Sequence, residues 1–102
     1  MRDEDILVGY VMSDAGFTLE EGATLCTVDA AWLQHRLEEG FIPQAEMAGG
    51  RWRLSTEGLA RARRMRRIER DFEAGPEIAA LVADLLEEVE SLRSRLRRAG
   101  LE

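Results

Sequence analysis

The sequence predicts a mainly α-helical domain that carries a small β wing and ends in a long helix. Three observations predict it. Two capped apolar stretches joined by a very short turn lie within residues 18–39. An alternating Arg51-Trp52-Arg53-Leu54 follows the pair Gly49-Gly50. A heptad of large apolar residues fills the last quarter of the chain. The expected organisation is an N-terminal extended arm or strand over 1–17, a winged helix-turn-helix over 18–72, and an amphipathic heptad helix over 76–100.

Residues 6–12, Ile-Leu-Val-Gly-Tyr-Val-Met, read as a short strand or extended arm, and Ser13 to Gly16 as a turn. Thr18 is a good N-cap, and Glu21 three residues on completes a capping box. The first helix then runs to about Leu25. Cys26-Thr27 form the turn, Val28 is an apolar plug, and Asp29 caps a second helix through Glu39. Leu33 and Leu37, four apart, are its inward positions. Gly40 suits the left-handed position that ends it.

Phe41-Ile42-Pro43, a loop with Gly49-Gly50, and Arg51-Trp52-Arg53-Leu54 predict a two-stranded wing with a glycine turn. Trp52 and Leu54 fall on one side of it. Trp52 is expected to pin the wing to the body. Ser55 caps a third helix over residues 56–72, with Leu59, Ala62, Met65, Ile68 and Phe72 as its inner face. Ala74-Gly75-Pro76 break that helix.

The last helix runs from Pro76, which suits a first turn, to Gly100, which suits a stop. Ile78, Val82, Leu85, Val89, Leu92 and Leu96 are spaced four, three, four, three, four, the seam of a heptad helix. A helix of this length spans roughly 35 Å. Part of its stripe is expected to pack inward and the rest to meet another chain. Asp84, Glu87, Glu88 and Glu90 precede Arg93, Arg95, Arg97 and Arg98, which complements the helix dipole. A parallel pair would repel at both ends, so a homodimer through this helix is expected to be antiparallel; the alternative is an amphipathic helix packed within its own chain.

Composition bounds what such a chain does. The 102 residues make room for one domain with a modest core. The longest apolar run, Ile6 to Met12, falls far short of the roughly 20 residues that span a bilayer. Acid at Asp3-Glu4-Asp5 is wrong for a secretory signal, and a single cysteine allows no internal disulfide framework. The expected location is cytoplasmic. All fourteen basic residues are arginine, which excludes lysine chemistry such as Schiff-base formation.

Net charge is −6, unevenly spread. Residues 1–50 carry two arginines against ten acids, whereas residues 51–72 carry eight arginines against three acids. An acidic protein is a poor default nucleic-acid binder, and the basic middle is the one feature that argues otherwise. The arginines of the third helix, Arg61, Arg63, Arg64, Arg66, Arg67 and Arg70, are scattered around it. They read as a solvated face or as partners for the acidic N-terminal half. Cys26 and His35 lack an organised third group, so neither a zinc site nor a nucleophile–base pair is expected. They read as a buried thiol and a surface imidazole. No glycine-rich phosphate loop is present, and the chain reads as a non-enzyme without metal or cofactor.

Val28-Asp29-Ala30-Ala31-Trp32-Leu33, Glu38-Glu39-Gly40-Phe41-Ile42-Pro43 and Trp52-Arg53-Leu54-Ser55-Thr56-Glu57-Gly58-Leu59 resemble the MerR-like winged helix-turn-helix. The variant they resemble most is the chaperone-modulator CbpM family. Its members are about this length and end in a leucine-rich, arginine-rich helix, as Leu85-Leu86-Glu87-Glu88 through Leu96-Arg97-Arg98 does here. The turn departs at Thr27, where MerR-type turns usually have glycine. The resemblance implies an adaptor that binds the J-domain of a DnaJ-type co-chaperone and hinders its action. The alternative is a MerR-like DNA-binding transcriptional regulator.

Charge on the second helix favours the first of these. A DNA-reading helix carries basic residues where this chain has Gln34, Glu38 and Glu39, and carboxylates there repel the phosphate backbone. The same face, with Asp29, Trp32, His35, Arg36, Glu38 and Glu39, could meet a basic helix. Trp32 is either a core residue or the aromatic anchor of that contact.

Overall fold

A computed structural model describes residues 16–101. The arm or strand expected at 6–12 lies outside the described residues. Four helices and one hairpin follow in chain order: α1 Leu19–Cys26, α2 Ala30–Glu38, β1 Ala45–Ala48, β2 Arg51–Leu54, α3 Thr56–Phe72 and α4 Pro76–Arg98.

The capping box forms at α1. The Thr18 hydroxyl accepts from Glu21 N–H at 3.1 Å, and the Glu21 carboxylate accepts from Thr18 N–H at 2.8 Å. Asp29 stands at the N-cap of α2 with extended backbone but makes no side-chain cap bond. The two helices cross closely because of Gly22: a Cβ there would lie 3.2 Å from Leu59 and 3.3 Å from Leu33.

All four helices end on the same device. Just past the helical run one residue turns left-handed, and its N–H and that of the next residue reach back to the last-turn carbonyls. Gly40 does this for α2 and Gly100 for α4, at φ of 81° and 73°. Thr27 does it for α1 and Glu73 for α3, at φ of 57° and 51°.

The wing is an antiparallel hairpin in which Ala45, Glu46, Met47 and Ala48 pair with Leu54, Arg53, Trp52 and Arg51. Gly49 and Gly50 both have positive φ, as a two-residue turn matching strand twist requires. The first strand begins later than Phe41-Ile42-Pro43 suggests. Ile42 is buried in the core, the Phe41 carbonyl accepts from Arg61, and Pro43 has no N–H to give. On the other side of β2, Phe17 exchanges two hydrogen bonds of 2.9 Å with Leu54.

The core gathers Phe17, Leu33, Leu37, Ile42, Leu54, Leu59, Met65 and Ile68 around α3, with Trp52 half-buried against it. Ser55 caps α3 by accepting from Gly58 N–H. The inner face of α3 is as expected except at Phe72, which is 76% exposed. Phe72 is the last helical residue, and the chain turns away at Glu73 before anything covers it.

On α4 the heptad stripe packs inward only at Val82, which is half-buried against the core, while Ile78, Leu85, Val89, Leu92 and Leu96 are exposed. Ala79, Ala80 and Ala83 face α3 instead and are buried. Ion pairs on that side fix the rotation of the helix. Arg61, 3% exposed, donates to the Phe41 and Ala80 carbonyls and meets Asp84 at 2.8 Å and Glu87 at 3.0 Å. Arg64 pairs with Glu90. Among the described residues, Arg61 and Arg64 therefore serve the acids of α4.

Candidate partner-binding face

The outer side of α2 follows from its helical period. Leu33 and Leu37 point into the core, so Gln34, His35 and Glu38 point out, with Asp29 and Glu39 exposed at its two ends. Of the six residues expected to form a binding face, four thus stand in solvent. Trp32 and Arg36 are half-buried and turn toward α3.

Their partner there is Glu69. The Trp32 indole N–H donates to Glu69 Oε1 at 3.0 Å. Arg36 forks onto the same carboxylate, Nε to Oε2 at 2.9 Å and Nη2 to Oε1 at 3.0 Å. Its remaining nitrogen, Nη1, donates to Glu39 at 2.9 Å. The guanidinium of Arg36 stacks 5.2 Å from the Trp32 ring centroid, and that of Arg66 lies 6.0 Å from it. Both distances fall within cation–π range. The hydrogen bond to Glu69 is the main cause that raises the Arg36 pKa above its ordinary value. Burial pushes the Glu69 carboxyl up, but the bonds from Arg36 and Trp32 outweigh it and hold it below the usual range. Sequence reasoning did not find Glu69 or Arg66. Their only signal was a shared α3 face, and nothing in the spacing tied that face to α2.

Beside the exposed part of α2 lies a groove of about 380 Å³, lined by Leu19, Glu20, Gln34, Met47, Arg51 and Trp52 among others. It runs between the wing and the first helix. Met47 is 54% exposed on its rim. A helix N-terminus such as that of α1 would ordinarily welcome a phosphate. Here the Glu21 carboxylate already takes the Thr18 N–H, and Glu20 adds charge of the same sign. The basic groups on the wing are Arg51 and Arg53, the latter paired across the hairpin with Glu46.

Cys26 is buried and donates weakly to the Leu59 carbonyl at 3.5 Å. Burial pushes its thiol up to about 11, which makes it a poor nucleophile. His35 stands exposed on α2 with no described contact to Cys26. Among the described residues, no group of three or more His, Cys, Asp or Glu side chains is placed to hold a metal ion, and no helix is long and apolar enough to cross a membrane.

The helix-turn-helix, its wing and the trailing helix coincide with one known family. The model of the MerR HTH family of regulatory proteins matches residues 17–99. The chain belongs to the MerR HTH family. That match spans α1 through α4, so the long helix is part of the family pattern rather than an appendage. No curated protein and no solved structure matches the chain.

Proposed function

We propose that this MerR-family chain is a non-enzymatic cytoplasmic adaptor that binds the J-domain of a DnaJ-type co-chaperone and restrains it. The reading rests on the resemblance to the chaperone-modulator CbpM family and on one observation: the outward face of α2 is acidic. Asp29, Glu38 and Glu39 are exposed, and the one arginine of the helix is taken up by Glu69 and Glu39. Such a face repels phosphates and attracts a basic helix. Trp32 is half-buried beside that face, its indole N–H tied to Glu69 and its ring stacked by Arg36.

The test is a calorimetric titration with the J-domain of the host's DnaJ-type co-chaperone, alongside duplex DNA. Saturable J-domain binding with a silent DNA trace supports the adaptor. Charge reversal at Glu38, which no described ion pair uses, should then weaken binding roughly five- to tenfold and flatten its salt dependence. A silent J-domain trace ends the reading.

The second reading is a DNA-binding transcriptional regulator. The family match and the exposed Arg51 of the wing favour it. It requires duplex binding that weakens steeply with salt and that Arg51→Ala diminishes.

A further inference from the structure

The wing leaves the body as it approaches its turn. Leu54 and Trp52 share one face of the hairpin with their cross-strand partners Ala45 and Met47. Cover falls away along that face: Leu54 is 1% exposed, Trp52 is half-buried and Met47 is 54% exposed. The face thus opens like a wedge toward its tip. The groove of about 380 Å³ is the space it leaves against Leu19 and Glu20 of α1 and Gln34 of α2.

Two features fix what can enter. The apolar side chains around the groove are Leu19, Met47 and Trp52. An exposed methionine fits itself to a large apolar side chain of varied shape. The charge on the α1 side is that of Glu20, which is exposed and which no described ion pair uses. Arg51 belongs to the opposite face of the hairpin, by strand alternation. A phosphate is disfavoured, because Glu21 already takes the Thr18 N–H and Glu20 adds charge of the same sign.

The groove is continuous with the outward face of α2. Gln34 lines it, and the exposed Glu38 stands one turn further along the same side of the helix. We propose that the groove seats one large apolar side chain of the basic helix that docks on α2, with a basic residue on either side of it, one meeting Glu20 and the other Glu38. This contact presupposes the adaptor reading and deepens it. An acidic face alone accepts any basic helix. An apolar side chain dropped between the wing and α1 adds a requirement of shape, and so selects among basic partners.

The two kinds of contact separate in kinetics. Exposed charges act mainly on association and its salt dependence, whereas a covered apolar contact acts on dissociation. Covering the open half of Met47 is worth about three- to tenfold in affinity. An exposed carboxylate contributes about two- to fivefold.

The test is surface plasmon resonance at low and high salt, with the J-domain of the host's DnaJ-type co-chaperone immobilised. Met47→Gln keeps the length of the side chain and removes its apolar character. It should speed dissociation about three- to tenfold and leave the association rate and its salt dependence unchanged. Met47→Leu should stay within about twofold of wild type. Glu20→Gln should slow association about two- to fivefold and reduce its salt dependence. Both positions are exposed, so the melting temperatures should match wild type. If Met47→Gln binds as wild type does while Glu38→Arg binds weakly, the partner is confined to α2. That result overturns the groove contact and leaves the adaptor reading standing. Equal losses in Met47→Gln and Met47→Leu also overturn it, since they mark the shape of the wing rather than an apolar contact. Wild-type protein that does not bind the J-domain ends both.

Discussion

The third and fourth helices are both amphipathic, and they use their large apolar residues in opposite ways. On α3, Leu59, Met65 and Ile68 go inward and Arg63, Arg67 and Arg70 outward, while Arg61 is buried and Arg64 and Arg66 are half-buried. On α4 the leucines, Ile78 and Val89 go outward, and alanines with the half-buried Val82 make the inner contact. The difference teaches that an apolar stripe locates a contact without saying whose. Bulk sets the choice here. Two helices approach closely where one contributes alanines, and a side already holding a buried arginine has no room for a row of leucines.

The comparison breaks hardest at the core. Met65 and Leu92 sit on matching stripes of the two helices, at 0% and 46% exposure. Met65→Ala should cost about 2–5 kcal/mol of unfolding free energy. Leu92→Ala should cost less than about 0.5 kcal/mol. Ala83, 0% exposed, reverses the usual expectation for its helix. Ala83→Leu should cost about 1–3 kcal/mol by overpacking, although it adds to the helix's apolar content. Urea melts of the three variants, compared with wild type, check all of this. Equal losses at Met65 and Leu92 would mean that the α4 stripe is buried within its own chain.

Most of the helix-turn-helix was legible because its signals are local. Thr18 and Glu21 form the capping box three residues apart, Leu33 and Leu37 repeat on one helical face, and Gly40 and Gly49-Gly50 require left-handed backbone. The exposed stripe was legible as a pattern but not in its direction. That depended on the small residues Ala79, Ala80 and Ala83, which carry little hydropathy, and on Arg61, which reads as surface. The candidate face was half legible. Its exposed acids follow from the period of α2, whereas the tie of Trp32 and Arg36 to Glu69 joins residues 33 and 37 positions apart. No local rule reaches that far.

A second, smaller effect sharpens the comparison within α3. Its Glu69 is one acid that the body uses, whereas Glu88 on α4 stands exposed. The lowered Glu69 pKa means its carboxylate stabilises the fold fully above the unfolded value of about 4.3. That contribution is lost as pH falls through the lower folded value. Glu69→Gln should therefore destabilise by roughly 1–3 kcal/mol at neutral pH, since it leaves Arg36 without its main partner. The gap between wild type and variant should close as the pH drops below about 4. Thermal melts of both proteins across that range check it. A gap independent of pH would mean that the carboxylate charge contributes nothing.

The smallest effect separates helix ends that share one geometry. Gly40 and Gly100 take the left-handed position without strain, whereas Thr27 and Glu73 take it with a Cβ. A left-handed residue with a side chain costs roughly 1–2 kcal/mol, and a β-branched one is the worse case. Glycine recovers that but loses more entropy on folding, about 0.5–1 kcal/mol. Thr27→Gly should therefore stabilise by about 0.5–1 kcal/mol, and Glu73→Gly by somewhat less. Gly40→Ala should destabilise by about 1 kcal/mol, since it introduces the strain that Thr27 now carries. Denaturant midpoints of the three proteins give the order directly. If Thr27→Gly were destabilising instead, the Thr27 side chain would be making a contact at the turn worth more than its backbone strain.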